Sequence, residues 1–197
     1  MNVHSSDVRA SARGWCRAVG QGMAAGLAGV VAMTLSEKVE QRITGRPSSY
    51  VPARTLERAL GWRESTGATA LARNVAMHTG QAVLLGGVRG VMARAGLRGP
   101  WASGMYCVLR LLNDQTLENA TGVGAPPWTW PRRELAADLL HKGVYALATG
   151  VVADVLAARE GPGPGQLHAA MAPGRHADVG PLPRAVMAER LHGAGRG

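Results

Sequence analysis

The longest apolar segment of the chain lies near its N-terminus. Residues 18–36 form a run of 19 without a charged side chain, close to the roughly 20 residues that an α-helix needs to cross the hydrocarbon core of a bilayer. Small residues recur in this segment and leave one helical face nearly bare, which in lipid lets a second helix approach closely. The pattern therefore predicts a membrane-spanning helix with three packing glycines, Gly22, Gly26 and Gly29.

Three later segments also have the length and apolar content of long helices. Together with the first, the expected helices are residues 15–42, 69–95, 100–121 and 131–158. The turn at 96–100 is short and contains Gly and Pro, so the helices on either side of it should pack antiparallel. Pro52 can open a short amphipathic helix at 53–60, which we expect to lie on the membrane interface.

The two ends of the chain have a different composition. Residues 1–14 are polar and are expected to form a flexible N-terminal segment, and residues 159–197 are rich in Gly and Pro without a sustained period. The sequence thus predicts an all-α fold, namely a four-helix transmembrane bundle at 15–158 with a short interfacial helix and a disordered C-terminal tail.

The third helix is the weakest part of this prediction. Its charge-free stretch, residues 99–109, has only 11 residues before Arg110. An arginine at the middle of a bilayer costs a few kcal/mol unless it pairs or faces protein. The alternative is a soluble helical bundle, in which the first helix is the buried core helix and the charged residues of the other three face water.

Composition changes the picture in two respects. The chain has no Phe and one Ile, so Ala, Gly and Val supply most of its apolar surface, and its mean hydropathy is only −0.02. Its net charge of +9 is spread along the chain without zinc-finger spacing, a basic helix with heptads or an RNA-binding aromatic motif, which argues against a nucleic-acid partner.

The basic residues of the two long loops favour a cytoplasmic location for those loops. Cys16 and Cys107 are too few for a disulfide framework.

Candidate chemistry gathers where four helix ends should meet at one face of an antiparallel bundle. Carboxylates and imidazoles from different helices are what a metal site or a proton relay requires. The residues of this candidate polar cluster are Glu37, His78, Glu118, Asp138 and His141. The other interpretation is that they are ordinary polar helix ends, solvated or paired with nearby arginines. A divalent metal is the only cofactor that the cluster would admit, and no catalytic or cofactor-binding motif occurs.

Several local features resemble a known type of membrane protein. They are the Gly-rich first helix, His78 followed by small residues up to Val83, the PPWTWP loop at 126–131 and a Glu-x-x-x-Asp-x-x-His start to the last helix at 134–141. Over residues 18–158 these features resemble the YagU-like family of four-helix bacterial inner-membrane proteins, although the basic loop with GRPSSYVP departs from it. The resemblance implies an inner-membrane location and no particular biochemical activity.

The sequence thus favours a multi-pass protein of the bacterial plasma membrane with a non-enzymatic role as a scaffold, stress or transport-accessory component. Its expected partners are the lipid bilayer and a second copy or another membrane protein. Two alternatives stay open. One is a soluble helical bundle that binds an acidic partner, and the other is a membrane bundle with a metal or proton-relay site.

Overall fold

The fold of the described part of the chain is all-α. A computed structural model describes the backbone of residues 3–171 and the side chains of residues 11–169, and no strand occurs within that range. The helices are α1 (Val3–Thr44), α2 (Val51–Ala59), α3 (Gly67–Ala95), α4 (Pro100–Ala120), α5 (Arg132–Ala158) and α6 (Pro164–Met171), with one 3-10 turn at Pro127–Thr129. The predicted fold class is confirmed at this level.

Helix α1 is the centre of the bundle. It packs along both α3 and α5, while α4 packs on α5 and α2 lies on α3. The sequence led us to expect α4 beside α3, because only a short turn joins them, but these two helices make few contacts with each other. The turn is instead held onto α5, because the Gly99 amide donates to Asp154 Oδ2 at 2.7 Å.

Glycines bring the backbones of α1 and α3 into direct contact. A Cβ added at Gly22 would lie 2.7 Å from the Cα of Gly90, and one added at Gly86 would lie 2.8 Å from the Cα of Gly26. No side chain fits into that space, so larger residues at these positions would push the helices apart. Gly29, in contrast, faces α5, where an added Cβ would lie 3.0 Å from the ring of Tyr145.

The ends of the chain differ from the expectation. Helix α1 begins at Val3, so residues 3–14 are helical where a flexible segment was expected. The reason is local, since no Gly or Pro interrupts the chain before Gly14, and Ala and Arg are good helix formers. Within the expected tail, Pro164 opens the short helix α6. The rest of that expected tail, residues 172–197, lies outside the described residues.

The bundle buries large charged side chains together with a mostly small apolar core, and it exposes large apolar side chains. Arg89 and Arg110 are at most 2% exposed, and Tyr106 and Tyr145 are fully buried. Large apolar side chains face outward on every long helix. On α1 they recur every four residues, as Val19, Met23, Leu27, Val31, Leu35, Val39 and Ile43.

Two of the described helices are long and apolar enough to cross a membrane. They are the part of α1 from Ser11 to Thr44 and the whole of α5, Arg132–Ala158. Helices α3 and α4 do not reach that standard within the described chain. The four-span arrangement is therefore taken up below as a proposal.

Candidate functional site

A large cavity lies at one end of the bundle. Its volume is about 760 Å³, and it is lined by the second half of α1, the first half of α3, the second half of α4 and the start of α5. The loop before α2 and the loop that carries the 3-10 turn complete its wall through Ser49, Tyr50 and Trp130. The cavity is therefore bounded by every long helix of the fold.

The candidate polar cluster lines this cavity. All five residues that the sequence analysis placed at one end of the bundle are among the lining residues, Glu37, His78, Glu118, Asp138 and His141. They are nevertheless not arranged as a ligand set, since within the part of the chain that the structure describes no three His, Cys, Asp or Glu side chains are grouped closely enough to hold a metal ion. The geometry thus gives the metal version of the hypothesis no support.

An ion-pair network joins α4 to α5 at the inner side of the cavity. Arg110 Nε donates to Asp114 Oδ2 at 3.0 Å, one helical turn away. Lys142 Nζ lies 3.3 Å from the same carboxylate oxygen and 2.7 Å from Asp138 Oδ1. Two cations and two carboxylates therefore neutralise one another where three of them are almost completely buried, as buried charges require.

Two tyrosines lie about one helical turn from the lining residues Arg110 and Lys142, toward the middle of the bundle. The hydroxyl of Tyr145 donates to the Ala82 carbonyl oxygen at 2.7 Å and lies 2.7 Å from the hydroxyl of Tyr106. The Arg110 guanidinium sits over the Tyr145 ring, 5.1 Å from its centroid. The tyrosine pair thus ties α3, α4 and α5 together and packs against the arginine that lines the cavity.

His141, next to Lys142 in the sequence, ties α5 to the end of α1. Its Nδ1 lies 3.1 Å from Ser36 Oγ, and its Nε2 lies 3.6 Å from Glu40 Oε2. The Glu40 carboxylate is itself held by Arg46, whose Nη2 is 2.9 Å away. The hydrogen bonds that Arg46 donates to Glu40 raise the pKa of Arg46, so this guanidinium stays charged. The mouth of the cavity is therefore a fixed polar rim.

Several buried polar atoms around the cavity have no hydrogen-bond partner among the described residues. They are Thr55 Oγ1, His78 Nε2, Arg110 Nη1 and His141 Nε2. An unsatisfied buried donor or acceptor costs about 1 to 3 kcal/mol, so such atoms are normally paired with protein, water or ligand. This concentration of unpaired atoms indicates that the cavity accommodates polar groups.

The position of α2, which supports the cavity wall, depends on one buried carboxylate. Glu57 accepts hydrogen bonds from the Ser65 hydroxyl, from Arg54 at 2.8 Å and from Arg73 at 2.9 Å. Its side chain is fully buried, and these donors, Ser65 first, lower its pKa to about 2. Asn74 Oδ1 also accepts from the Ala53 amide at 3.1 Å, so α2 is tied to α3 at two points.

Sequence reasoning missed the central part of this site. It treated Arg110 as an obstacle to a membrane span and gave no role to Asp114, although the two residues are spaced i,i+4 on one helix. The same spacing relates Asp138 to Lys142. These two pairs of opposite charge at helical spacing were the available signal, because such residues lie on one face.

A comparison of the chain with protein-family models, with curated proteins and with solved structures gives no match.

Proposed function

We propose that this chain is a multi-pass protein of the bacterial plasma membrane, with α1, α3, α4 and α5 as its spans. In this proposal it is a non-enzymatic transport-accessory component, which binds a small polar molecule in the cavity described above. The observation that carries the proposal is where the largest side chains lie. Large charged side chains are buried between the helices, while large apolar side chains are exposed on every long helix.

Water and lipid make opposite demands on these two surfaces. In water, the exposed side chains of α1, α3, α4 and α5 would form a large apolar surface of the kind that soluble monomers rarely carry. In lipid the same surface is well solvated. The buried charges then face protein and pair with one another, as intramembrane charges generally do. This contrast favours the membrane over the soluble bundle with an acidic partner.

The shape of the cavity favours binding over conduction. Its lining residues do not include the buried tyrosine pair, Tyr106 and Tyr145, or the Arg89–Asp154 ion pair, where Nη2 and Oδ1 are 2.7 Å apart. No described hydrogen bond joins the tyrosine pair to Arg89. The polar groups therefore form two separate networks, and the cavity ends within the bundle.

A proton relay confined to the cavity is the second candidate function. The observation that favours it is the continuous contact from Asp138 through Lys142 and Asp114 to Arg110. In such a relay, the carboxylates of Asp138 and Asp114 and the ammonium group of Lys142 would exchange protons with the His141 side chain. A relay would show as a pH-dependent response that Asp138→Asn abolishes while the protein remains folded.

The location is tested by fractionation. Membranes from cells that express the full chain are washed with alkaline carbonate, and the protein is expected to stay in the pellet until detergent is added. Recovery in the carbonate supernatant would contradict the membrane proposal, and the apolar outer surface would then have to be a protein interface.

The cavity is tested separately by thiol labelling. In a chain in which Cys16 and Cys107 are replaced by Ser, single cysteines are introduced at His78, which lines the cavity, and at Leu147, which is 54% exposed on the outer surface. A small polar thiol reagent is expected to label position 78 and not position 147. Labelling of both positions would indicate that water reaches the outer surface as well as the cavity, and it would refute the proposed arrangement.

A further inference from the structure

A second, smaller cavity lies at the opposite end of the bundle. Its volume is about 240 Å³, and it is formed by the start of α1, the end of α3 with the turn that follows, and residues 157–164 together with the start of α6. Pockets for drug-sized ligands measure roughly 300 to 1,000 Å³, so this one suits a single small group.

The charge of this cavity is strongly positive. Among the described residues, three arginines line it, Arg17, Arg94 and Arg98, against one carboxylate, Glu160. That carboxylate is already occupied, since Arg17 Nε lies 3.0 Å from Glu160 Oε1 and Gln21 donates to the same oxygen at 3.1 Å. Arg94 and Arg98 therefore have no carboxylate partner among the described lining residues.

Arg98 is fixed in place by neutral acceptors. It is 8% exposed and donates to the carbonyl oxygens of Ala93 at 2.8 Å, Gly161 at 3.1 Å and Ala157 at 3.3 Å. These contacts orient the guanidinium without cancelling its charge. A buried guanidinium held in this way is ready to bind an anion, because the orientation has already been set.

Arg94 is positioned by a glycine and an indole. Its guanidinium lies 5.4 Å from the centroid of the Trp15 ring, and its buried Nε has no hydrogen-bond partner in the part of the chain that the structure describes. The guanidinium also lies against Gly14, where an added Cβ would be only 2.6 Å from Arg94 Cζ. The absence of a side chain at Gly14 thus makes room for the guanidinium at the edge of the cavity.

We propose that this cavity binds a phosphate group. Guanidinium groups match phosphate oxygens with paired hydrogen bonds, and basic pockets between membrane helices are suited to phospholipid headgroups. The phosphate comes either from an anionic phospholipid or from inorganic phosphate. This inference goes beyond the proposed function, because the site lies at the other end of the bundle and a soluble protein could also bind inorganic phosphate there.

The test compares three variants of the detergent-solubilised full chain. Arg94→Gln removes the charge, and Gly14→Ala displaces the guanidinium while keeping the charge. Arg159→Gln is the matched control, because Arg159 is exposed at the same end of the bundle and does not line the cavity. Binding of phosphatidylglycerol and of phosphatidylcholine is measured by native mass spectrometry, binding of inorganic phosphate by calorimetry, and folding by helical circular dichroism.

Arg94→Gln and Gly14→Ala are expected to weaken the preferred ligand about tenfold, the loss that follows from removing a hydrogen bond to a charged group. Arg159→Gln should change it by less than about twofold. A preference for phosphatidylglycerol over phosphatidylcholine would assign the phosphate to lipid, and binding of inorganic phosphate alone would assign it to the free ion. Equal losses in Arg94→Gln and Arg159→Gln, or no binding of either phosphate source, would overturn the proposal.

Discussion

Leu27 provides a decisive test of the solvent around the bundle. It lies at the centre of the charge-free segment of α1 and is 46% exposed on the outer surface. The substitution Leu27→Arg therefore places a charge either in lipid or in water. The structure of the monomer is the same in both cases, so only the surrounding solvent decides the effect.

The expected magnitudes in the two solvents differ widely. At the centre of a membrane helix, Leu contributes about −0.3 to −0.6 kcal/mol to insertion and Arg costs about 2.5 to 3.5 kcal/mol, so the exchange costs roughly 3 to 4 kcal/mol. That corresponds to a factor on the order of one hundred to several hundred in the insertion equilibrium of α1. In a soluble bundle, an exposed substitution changes stability by only about 0.5 kcal/mol in either direction.

The assay uses a native reporter, because Cys16 is exposed at the start of α1. With Cys107 replaced by Ser, a membrane-impermeant maleimide should label Cys16 in spheroplasts or in inverted vesicles, but not in both. Leu27→Arg should abolish this sidedness and lower the carbonate-resistant fraction. Leu60→Arg is the control, since Leu60 is 51% exposed in the turn after α2, outside the proposed spans. Unchanged sidedness and fractionation in Leu27→Arg would refute the reasoning.

Three further predictions concern packing and charge, each measured by thermal unfolding in detergent. Gly26→Val should lower stability by about 1 to 3 kcal/mol by forcing α1 away from α3. Gly20→Val is the control and should not have this effect, because a Cβ added at Gly20 has no neighbouring atom within 4 Å among the described residues. Equal losses in the two variants would contradict the close packing. Arg89→Met should cost about 3 kcal/mol by leaving the half-buried Asp154 carboxylate without its charged partner, and adding Asp154→Leu should recover part of that loss. No recovery would argue against coupling between the two residues. The pKa of Glu57 is lowered to about 2, so its ionised carboxylate contributes fully to the free energy of unfolding above its unfolded pKa, and this contribution disappears as the pH falls from about 5 toward 2. In Glu57→Gln the free energy of unfolding should therefore depend less on pH in that range. An unchanged pH profile would be inconsistent with this role.

The helices could be predicted from the sequence because their ends carry strong local signals. Gly96 ends α3 in the left-handed conformation, with φ of 105°, and Pro100 opens α4. These residues act through their own backbone, so no tertiary information is needed. The start of α1 was missed because polar residues upstream of Gly14 were taken to mean flexibility, although they are compatible with a helix.

The candidate site could be predicted only in outline. Helix ends on one face of a bundle must lie near one another, which was enough to bring five polar residues to one cavity. Which charged side chains form ion pairs with one another could not be predicted in the same way, because it depends on the rotation of each helix about its axis. The sequence contained the Arg110–Asp114 spacing, but only the packed structure places Lys142 between Asp114 and Asp138.

The low mean hydropathy of the chain fits the proposed membrane location once the direction of each side chain is considered. A hydropathy window counts a charge in the same way whether it faces lipid or protein. Helices α3 and α4 are not among the described helices that are long and apolar enough to cross a membrane. They carry Arg89, Arg110 and Asp114, whose side chains are at most 5% exposed. If these charges face only protein, the surface that lipid contacts is far more apolar than the average suggests. Under the proposal, an apolar replacement of both partners in such a pair should therefore leave membrane insertion intact, while a single charge on the outer surface should not.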